Sequence, residues 1–262
     1  MSEVAFPLSS AFMLHGAGMV SIVGAGGKTT LMFRLARELS EAGSTVLTTT
    51  TTRVMMPSRD QAPVVIVAEE VGEVLERARA SSVQDRHIFA ASGPSGQEGK
   101  LSGFAPQAVE ALWRSGLFRW VLVEADGAAR RPLKAPASHE PVIPEGSAWV
   151  IAVAGMDAIG RPLNDDSVFR PRLYGDITGL GEGEPITEES IALSLVHPRG
   201  VMRGSPAGAI RCLFLNKAED PRGLQAARRI VGFLSRMKDK RPMRVVIGGA
   251  GGDHPVMETH DL

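Results

Sequence analysis

Gly24-Ala25-Gly26-Gly27-Lys28-Thr29-Thr30 is the stretch on which the reading of this chain turns. An apolar run, Met19–Val23, leads into it, and an amphipathic run, Leu31–Leu39, leads out. Strand, glycine-rich turn and helix in that order form a phosphate-binding loop. The glycines let backbone N–H groups converge on an anion, and the new helix adds its unpaired N–H groups and positive end. Gly24, Ala25, Gly26, Gly27, Lys28, Thr29 and Thr30 are therefore the expected nucleotide contacts. Lys28 reaches the β/γ-phosphates and the Thr29 hydroxyl is the Mg²⁺ ligand. Ile22 stands where the usual G-x-x-x-x-G-K-[ST] pattern has its first glycine, while Gly24 and Gly26 supply extra freedom.

Outward from the loop, Thr45–Thr49 continues as a second strand and ends in five threonines, Thr48–Thr52, followed by Arg53. A buried parallel strand is ordinarily aliphatic, so hydroxyls at its carboxyl end lie on the functional rim of an open sheet. Thr49 is the expected second metal contact there, and Arg53 approaches the phosphates. Further on, the apolar strand Trp120–Val123 runs into Glu124-Ala125-Asp126-Gly127. Period two puts both acids on one side of the strand end. One of them is expected to hold Mg²⁺ or to orient the attacking water, which makes Lys28, Glu124 and Asp126 the candidate catalytic residues and Asp126 a candidate metal ligand.

Residues 128–146 are polar and broken by proline, and Arg130, Arg131 and Lys134 there suit a second, anionic ligand. His197 and Arg203, in a loop shaped by glycine and proline, join that candidate set. Asn216-Lys217-Ala218-Glu219-Asp220 follows the strand Arg211–Leu215. An N-K-x-D segment in that place reads guanine: Asn216 and Lys217 line the ring and a carboxylate accepts from the base. Here Glu219 takes the Asp position and Asp220 comes one place late, which leaves ATP and GTP both open.

Length and composition bound the rest. The 262 residues carry 29 basic and 29 acidic side chains, so net charge gives no nucleic-acid footprint. A single cysteine, Cys212, excludes an intrachain disulfide framework, and it lies in an apolar run. No stretch approaches a membrane span and no basic leader precedes an apolar core, which makes the cytoplasm the expected compartment. Strands alternate with helices, and polar loops follow the strands. The expected fold is α/β: a three-layer α/β/α, P-loop NTPase-like arrangement around a mostly parallel sheet. It is expected to form one domain over 1–262, with irregular insert loops around 92–104, 128–146 and 155–186.

Taken together, Val23–Thr30, Val46–Thr52, Val123–Ala128, Arg131–Ala137, His139–Pro144 and Gly155–Leu163 closely resemble the YqeC family, the selenium-dependent hydroxylase accessory proteins. The resemblance continues through His197–Gly200 and Leu215–Lys217. The Pro132–Ala137 and His139–Pro144 blocks are more specific than the phosphate loop alone. The resemblance implies a P-loop NTPase-like protein tied to maturation of molybdenum hydroxylases, with a molybdenum-cofactor enzyme or its maturation factors as partner. It is also similar to metallochaperone GTPases and dimerising ATPases, whose acid after the third core strand acts at the phosphates. Val23 replaces the signature lysine of the dimerising ATPases, so no cross-subunit contact by that lysine is expected, and a homodimer is left open. The main expectation is a Mg²⁺-dependent hydrolase of ATP or GTP. The alternatives are a kinase or nucleotidyltransferase acting on a pterin-type cofactor or small anion, and a non-catalytic carrier or scaffold.

Overall fold

The computed structural model describes residues 6–81, 86–237 and 244–262. From the amino end run α1 (Leu8–Ala11), β1 (Gly18–Gly24), α2 (Lys28–Glu41), β2 (Val46–Thr50), β3 (Arg53–Met55), β4 (Val64–Val67), α3 (Val71–Ala80), β5 (His87–Ala91), β6 (Gly93–Pro94), β7 (Lys100–Ser102), α4 (Pro106–Arg114) and β8 (Trp120–Glu124). They continue as β9 (Leu133–Lys134), β10 (Ser147–Gly155), a 3-10 turn at Met156–Ala158, β11 (Val168–Phe169), α5 (Pro171–Thr178), α6 (Glu188–Val196), β12 (Ile210–Asn216), α7 (Pro221–Arg236), β13 (Arg244–Gly248) and β14 (Val256–Asp261).

Nine strands build the main sheet in the order β14-β13-β12-β10-β1-β8-β2-β5-β4. Every neighbouring pair is parallel except β13 with β14. The fold is thus α/β with a mostly parallel, mixed sheet. β1, β8 and β10 are buried along nearly their whole length, as apolar strands covered on both faces must be. Alternation sends Val20, Ile22 and Leu122 to one face, where they pack with Leu31, Leu35 and Leu39 of α2. Val23, Ala152 and Leu213 go to the other face, against Ile191 of α6 and Ile230 of α7. Met19, Val121 and Val123 meet Val74 of α3 and Val109 of α4 on that second face. Helices therefore cover both faces of the sheet.

Sequence chemistry sets the helix ends. Thr187 and Ser190 form a reciprocal capping box at the start of α6. Asp220 accepts from the N–H groups of Arg222 and Gly223 ahead of Pro221, the first residue of α7.

Four pieces of order go beyond what the pattern predicts. Residues 92–104, expected to be irregular, contribute β6 and β7, which join β3 in a separate three-stranded antiparallel sheet. This flap is tied to the main sheet where Gly103 N–H donates to Thr52 O (2.6 Å) and Phe104 N–H to Thr50 O (2.9 Å). A Cβ at Gly103 would sit 2.1 Å from Thr50 O, so only glycine allows that approach. Residues 128–146 and 155–186 are pinned together by β9 pairing with β11. α5 is short and contains Gly175, so propensity is a weak guide to it. Its Tyr174 is fully buried and lies 3.1 Å from Ser190 Oγ, and that packing holds the helix. β14 alternates weakly because it is a half-exposed edge strand.

Candidate functional site

The phosphate loop leaves the carboxyl end of β1 between β10 and β8. Gly24, Gly26 and Gly27 all have positive φ, at 91°, 84° and 126°. Close approach selects glycine as well: a Cβ would fall 2.4 Å from Val153 O at Gly24, 2.4 Å from Gly155 N at Gly26 and 2.2 Å from Asn216 Nδ2 at Gly27. The loop is fastened where Ala25 N–H donates to Val153 O and Gly26 N–H to Arg131 O. The first turn of α2, beginning at Lys28, has N–H groups without intrahelical acceptors.

Lys28 is buried. Its Nζ donates to Gly24 O (2.8 Å) and lies 3.2 Å from Asp126 Oδ1 and 3.7 Å from Glu124 Oε1. Burial opposes its charge, but Asp126 and then Glu124 outweigh that, and its pKa is raised above 10.5. Thr29 Oγ1 donates to Glu124 Oε2 at 2.7 Å. Glu124 is pushed up from the ordinary carboxyl range, chiefly by burial, against the opposing effects of Lys28 and Thr29.

Asp126 sits behind this pair. It is fully buried, accepts from Gly24 N–H (3.0 Å) and lies between two lysines, with Lys134 Nζ 3.0 Å from Oδ2. Two ammonium groups that close oppose a direct metal bond, so the structure gives Asp126 the place of a counter-charge beneath Lys28 rather than that of a metal ligand. Thr49 is also not brought to the loop: its hydroxyl donates to Ala90 O (2.8 Å) inside the sheet. The other threonines are similarly occupied, Thr48 with His87 Nε2, Thr50 with Glu124 O, Thr51 with Val142 O and Thr52 with the Thr50 hydroxyl at 3.3 Å.

Asn216 joins three strand ends. Its Nδ2 donates to Gly26 O (2.7 Å) and its Oδ1 accepts from Ala250 N–H (2.9 Å). That geometry places it on the loop backbone rather than on a base. Lys217 has a left-handed backbone, φ 61°, and pairs with Asp157 Oδ2 at 2.8 Å. Asp220 is spent as the α7 cap.

The second-ligand set divides. Lys134 has no exposed side-chain surface and is saturated by Asp126, Glu140 Oε2 (3.1 Å) and Gly127 O (2.6 Å). Arg203 fastens the 137–140 turn by donating to the carbonyls of Ala137 (3.0 Å), Ser138 and Glu140 (2.9 Å). His197 accepts from Arg199 N–H at the end of α6, and its pKa is lowered by burial and by Arg199. Only Arg130 and Arg131 of that set line the cavity described next. The sequence reading passed over Glu140 and Arg170. Arg170 donates to Glu140 at 2.5 Å, and against burial this hydrogen bond and Lys134 hold Glu140 down at about 2. Five ionic groups in one largely buried network left no periodic trace; the density of charge in a proline-broken segment was the only signal.

The loop opens into a cavity of about 1190 Å³ whose walls include Lys28, Thr29, Glu124, Arg130 and, from the flap, Arg53 and Lys100. Mg²⁺ fits this donor set. A hydroxyl and a carboxylate lie together beside a backbone anion cradle, and Mg²⁺ is held by few protein oxygens together with phosphates.

A family model described as YqeC protein matches residues 20–172. The "Uncharacterized protein YqeC" of Escherichia coli (strain K12) is 37% identical over 199 residues, 76% of this chain and 75% of the relative. Among solved structures, the signal recognition particle 54 kDa protein of Aeropyrum pernix K1, in complex with GDP, is matched at TM-score 0.38 and 15% identity over 93% of this chain and 44% of that one. FtsY of Mycoplasma mycoides is matched at TM-score 0.33 and 10% identity, over 93% of this chain and 59% of that one. The chain spans less than two thirds of either solved protein, and TM-scores this low do not establish a shared fold. The family model and the curated relative do establish kinship: this chain belongs to the YqeC family.

Proposed function

We propose that this protein is a Mg²⁺-dependent nucleoside-triphosphate-binding and hydrolysing protein that works as a slow switch. The observation that carries the reading is the convergence of Lys28, Thr29 and Glu124 at the mouth of a glycine-built loop on a large cavity. Lys28 and the N–H groups opening α2 stabilise negative charge on the β/γ oxygens. Thr29 would hold the metal, and Glu124 accepts a hydrogen bond from its hydroxyl, fixing the orientation of the ligand oxygen. Bound Mg²⁺ supplies charge neutralisation at the phosphates. Glu124, with its raised pKa, is also the carboxyl available to orient the attacking water. Asp126 is a positioning residue: it keeps Lys28 charged and ties it to the loop through Gly24.

The wider role rests on the family resemblance: an accessory step in maturing molybdenum hydroxylases, in which nucleotide occupancy sets when a client is engaged. ATP and GTP both remain candidates, because Asn216 is committed to the loop and Asp220 to a helix cap.

The test is phosphate release from Mg·ATP and Mg·GTP by wild type and Lys28→Ala, with calorimetric binding of each nucleotide alongside. The reading predicts binding of at least one nucleotide and slow release that Lys28→Ala abolishes. Absence of nucleotide binding by folded wild type would overturn the reading. Tight binding with identical background release by both proteins, even with a molybdenum-hydroxylase client present, would replace hydrolysis with a carrier role.

A further inference from the structure

The cavity is larger and more basic than its loop end requires. At about 1190 Å³ it exceeds the roughly 300–1,000 Å³ of a single small-molecule site. Its walls carry six lysines and arginines against two glutamates, in a chain whose net charge is zero. Three of the six are already answered: Lys28 by Glu124 and Asp126, Lys217 by Asp157 and Arg131 by Asp166 at 3.6 Å. The other three are not. Among the described residues, the side chains of Arg53 and Arg130 make no hydrogen bond or ion pair, and Lys100 meets only the neutral Gln97 (2.9 Å).

All three line the cavity, with Arg53 and Arg130 open to solvent and Lys100 half-buried. Pairing of β3 with β7 sets Arg53 opposite Ser102 and Met55 opposite Lys100, while Val54 and Leu101 between them are buried. Alternation therefore puts Arg53 and Lys100 on the same face of the flap, and both line the cavity. Arg130 comes from the segment between β8 and β9 and follows Ala129. Both have left-handed φ, 60° and 47°, a conformation that costs a residue with a Cβ free energy and persists where the surroundings impose it.

We propose that Arg53, Lys100 and Arg130 form a second anion subsite in this cavity, which takes a phosphorylated small molecule beside the nucleotide. A phosphomonoester carries a charge of about −1.5 to −2 at neutral pH and offers three acceptor oxygens, matching two guanidinium forks and one ammonium better than a lone carboxylate does. The inference rests on the nucleotide reading only for what fills the loop end. It makes the protein a two-ligand device, in which the second molecule sits beside the nucleotide.

The experiment is calorimetric titration of inorganic phosphate into the full chain saturated with Mg²⁺ and a non-hydrolysable ATP or GTP analogue. It is repeated with Arg53→Ala/Arg130→Ala and, without analogue, with Lys28→Ala. Thermal unfolding confirms that each variant is folded, and Lys100→Ala serves as a second probe of the same subsite. The expected result is phosphate binding to the loaded wild type, weakened about ten-fold or more in the double variant, with analogue affinity held within about two-fold. Lys28→Ala is expected to keep binding phosphate in an Arg53- and Arg130-dependent way. No phosphate binding to loaded wild type overturns the proposal. So does a loss of analogue affinity in the double variant, since the cations then serve the nucleotide itself. If no analogue binds at all, the nucleotide reading fails separately, and the Lys28→Ala arm still decides the subsite.

Discussion

Lys134 Nζ lies 3.0 Å from Asp126 Oδ2, and neither side chain is exposed to solvent. Because Asp126 also faces Lys28, one carboxylate is shared by the loop lysine and by a lysine from the proline-broken segment. The same Lys134 meets Glu140, which in turn holds Arg170. The chain Lys28–Asp126–Lys134–Glu140–Arg170 thus welds the 128–146 segment to the phosphate loop.

Removing one member of that chain strands the others. Lys134→Met is expected to destabilise the protein by about 3–5 kcal/mol, because Asp126 and Glu140 keep buried charge without their partner. Urea unfolding measures this directly. A change of under about 1 kcal/mol would show that the network relaxes and is not held rigidly.

Gly27→Ala tests the loop's geometry. Its φ of 126° and the 2.2 Å approach of Asn216 Nδ2 leave no place for a methyl group. The backbone must shift or Asn216 must let go. Hydrolysis is expected to fall roughly 100-fold from misplacement alone, with the protein still folded by circular dichroism. Near-normal turnover would mean that the cradle does not position the phosphates.

Asn216→Ala separates anchoring from base reading. It leaves Gly26 O and Ala250 N–H without their partner and should cost about 1–3 kcal/mol in thermal or denaturant unfolding. Affinity for both nucleotides should drop together, leaving the ATP to GTP ratio unchanged. A selective loss for GTP would return Asn216 to guanine recognition.

Acid stability carries two signatures. Burial lowers His87 from 6.5 to about 4, so the folded protein disfavours its protonation while the unfolded chain takes the proton up. His87 therefore contributes stability that is complete above pH 6.5 and is lost as pH falls towards 4, on the order of 3 kcal/mol. Glu140, held at about 2 against an ordinary 4.5, adds a second loss only as pH falls from 4.5 towards 2. Unfolding free energy measured between pH 7 and 4 should flatten in His87→Gln. A slope identical to wild type would assign the loss to other groups.

Much of this was legible in the sequence. The strand–glycine–helix unit at Gly24–Thr30, most main-sheet strands and most long helices follow from apolar runs and caps, because each is a local signal. Glu124 and Asp126 were legible as a pair but not as a division of labour. Period two puts them on one side of a strand, yet burial and two lysines from distant segments decide which one meets the cavity. Thr49 pointed to the site by composition and is committed to Ala90 across the sheet, since a strand hydroxyl serves the nearest carbonyl. Asn216 matched a base-reading pattern, and its contact with Gly26 shows the same position tying loop to strand. The flap and β14 escaped notice because three-residue strands and half-polar edges carry little periodicity.

The flap shares no ladder with the main sheet and is held to it by the Gly103–Thr52 and Phe104–Thr50 bonds and by Val54 and Leu101 in the core. Its exposed residues, among them Met55 on the cavity wall and Met56, answer to no core. Inheritance can act on the two walls of the cavity at different speeds. Change at Lys28, Asp126 or Lys134 unsettles the whole molecule, whereas change at Arg53, Met55 or Lys100 alters what the cavity welcomes and leaves the buried Val54 and Leu101 in place. A lineage of such proteins can retain its engine and exchange its clientele one surface residue at a time.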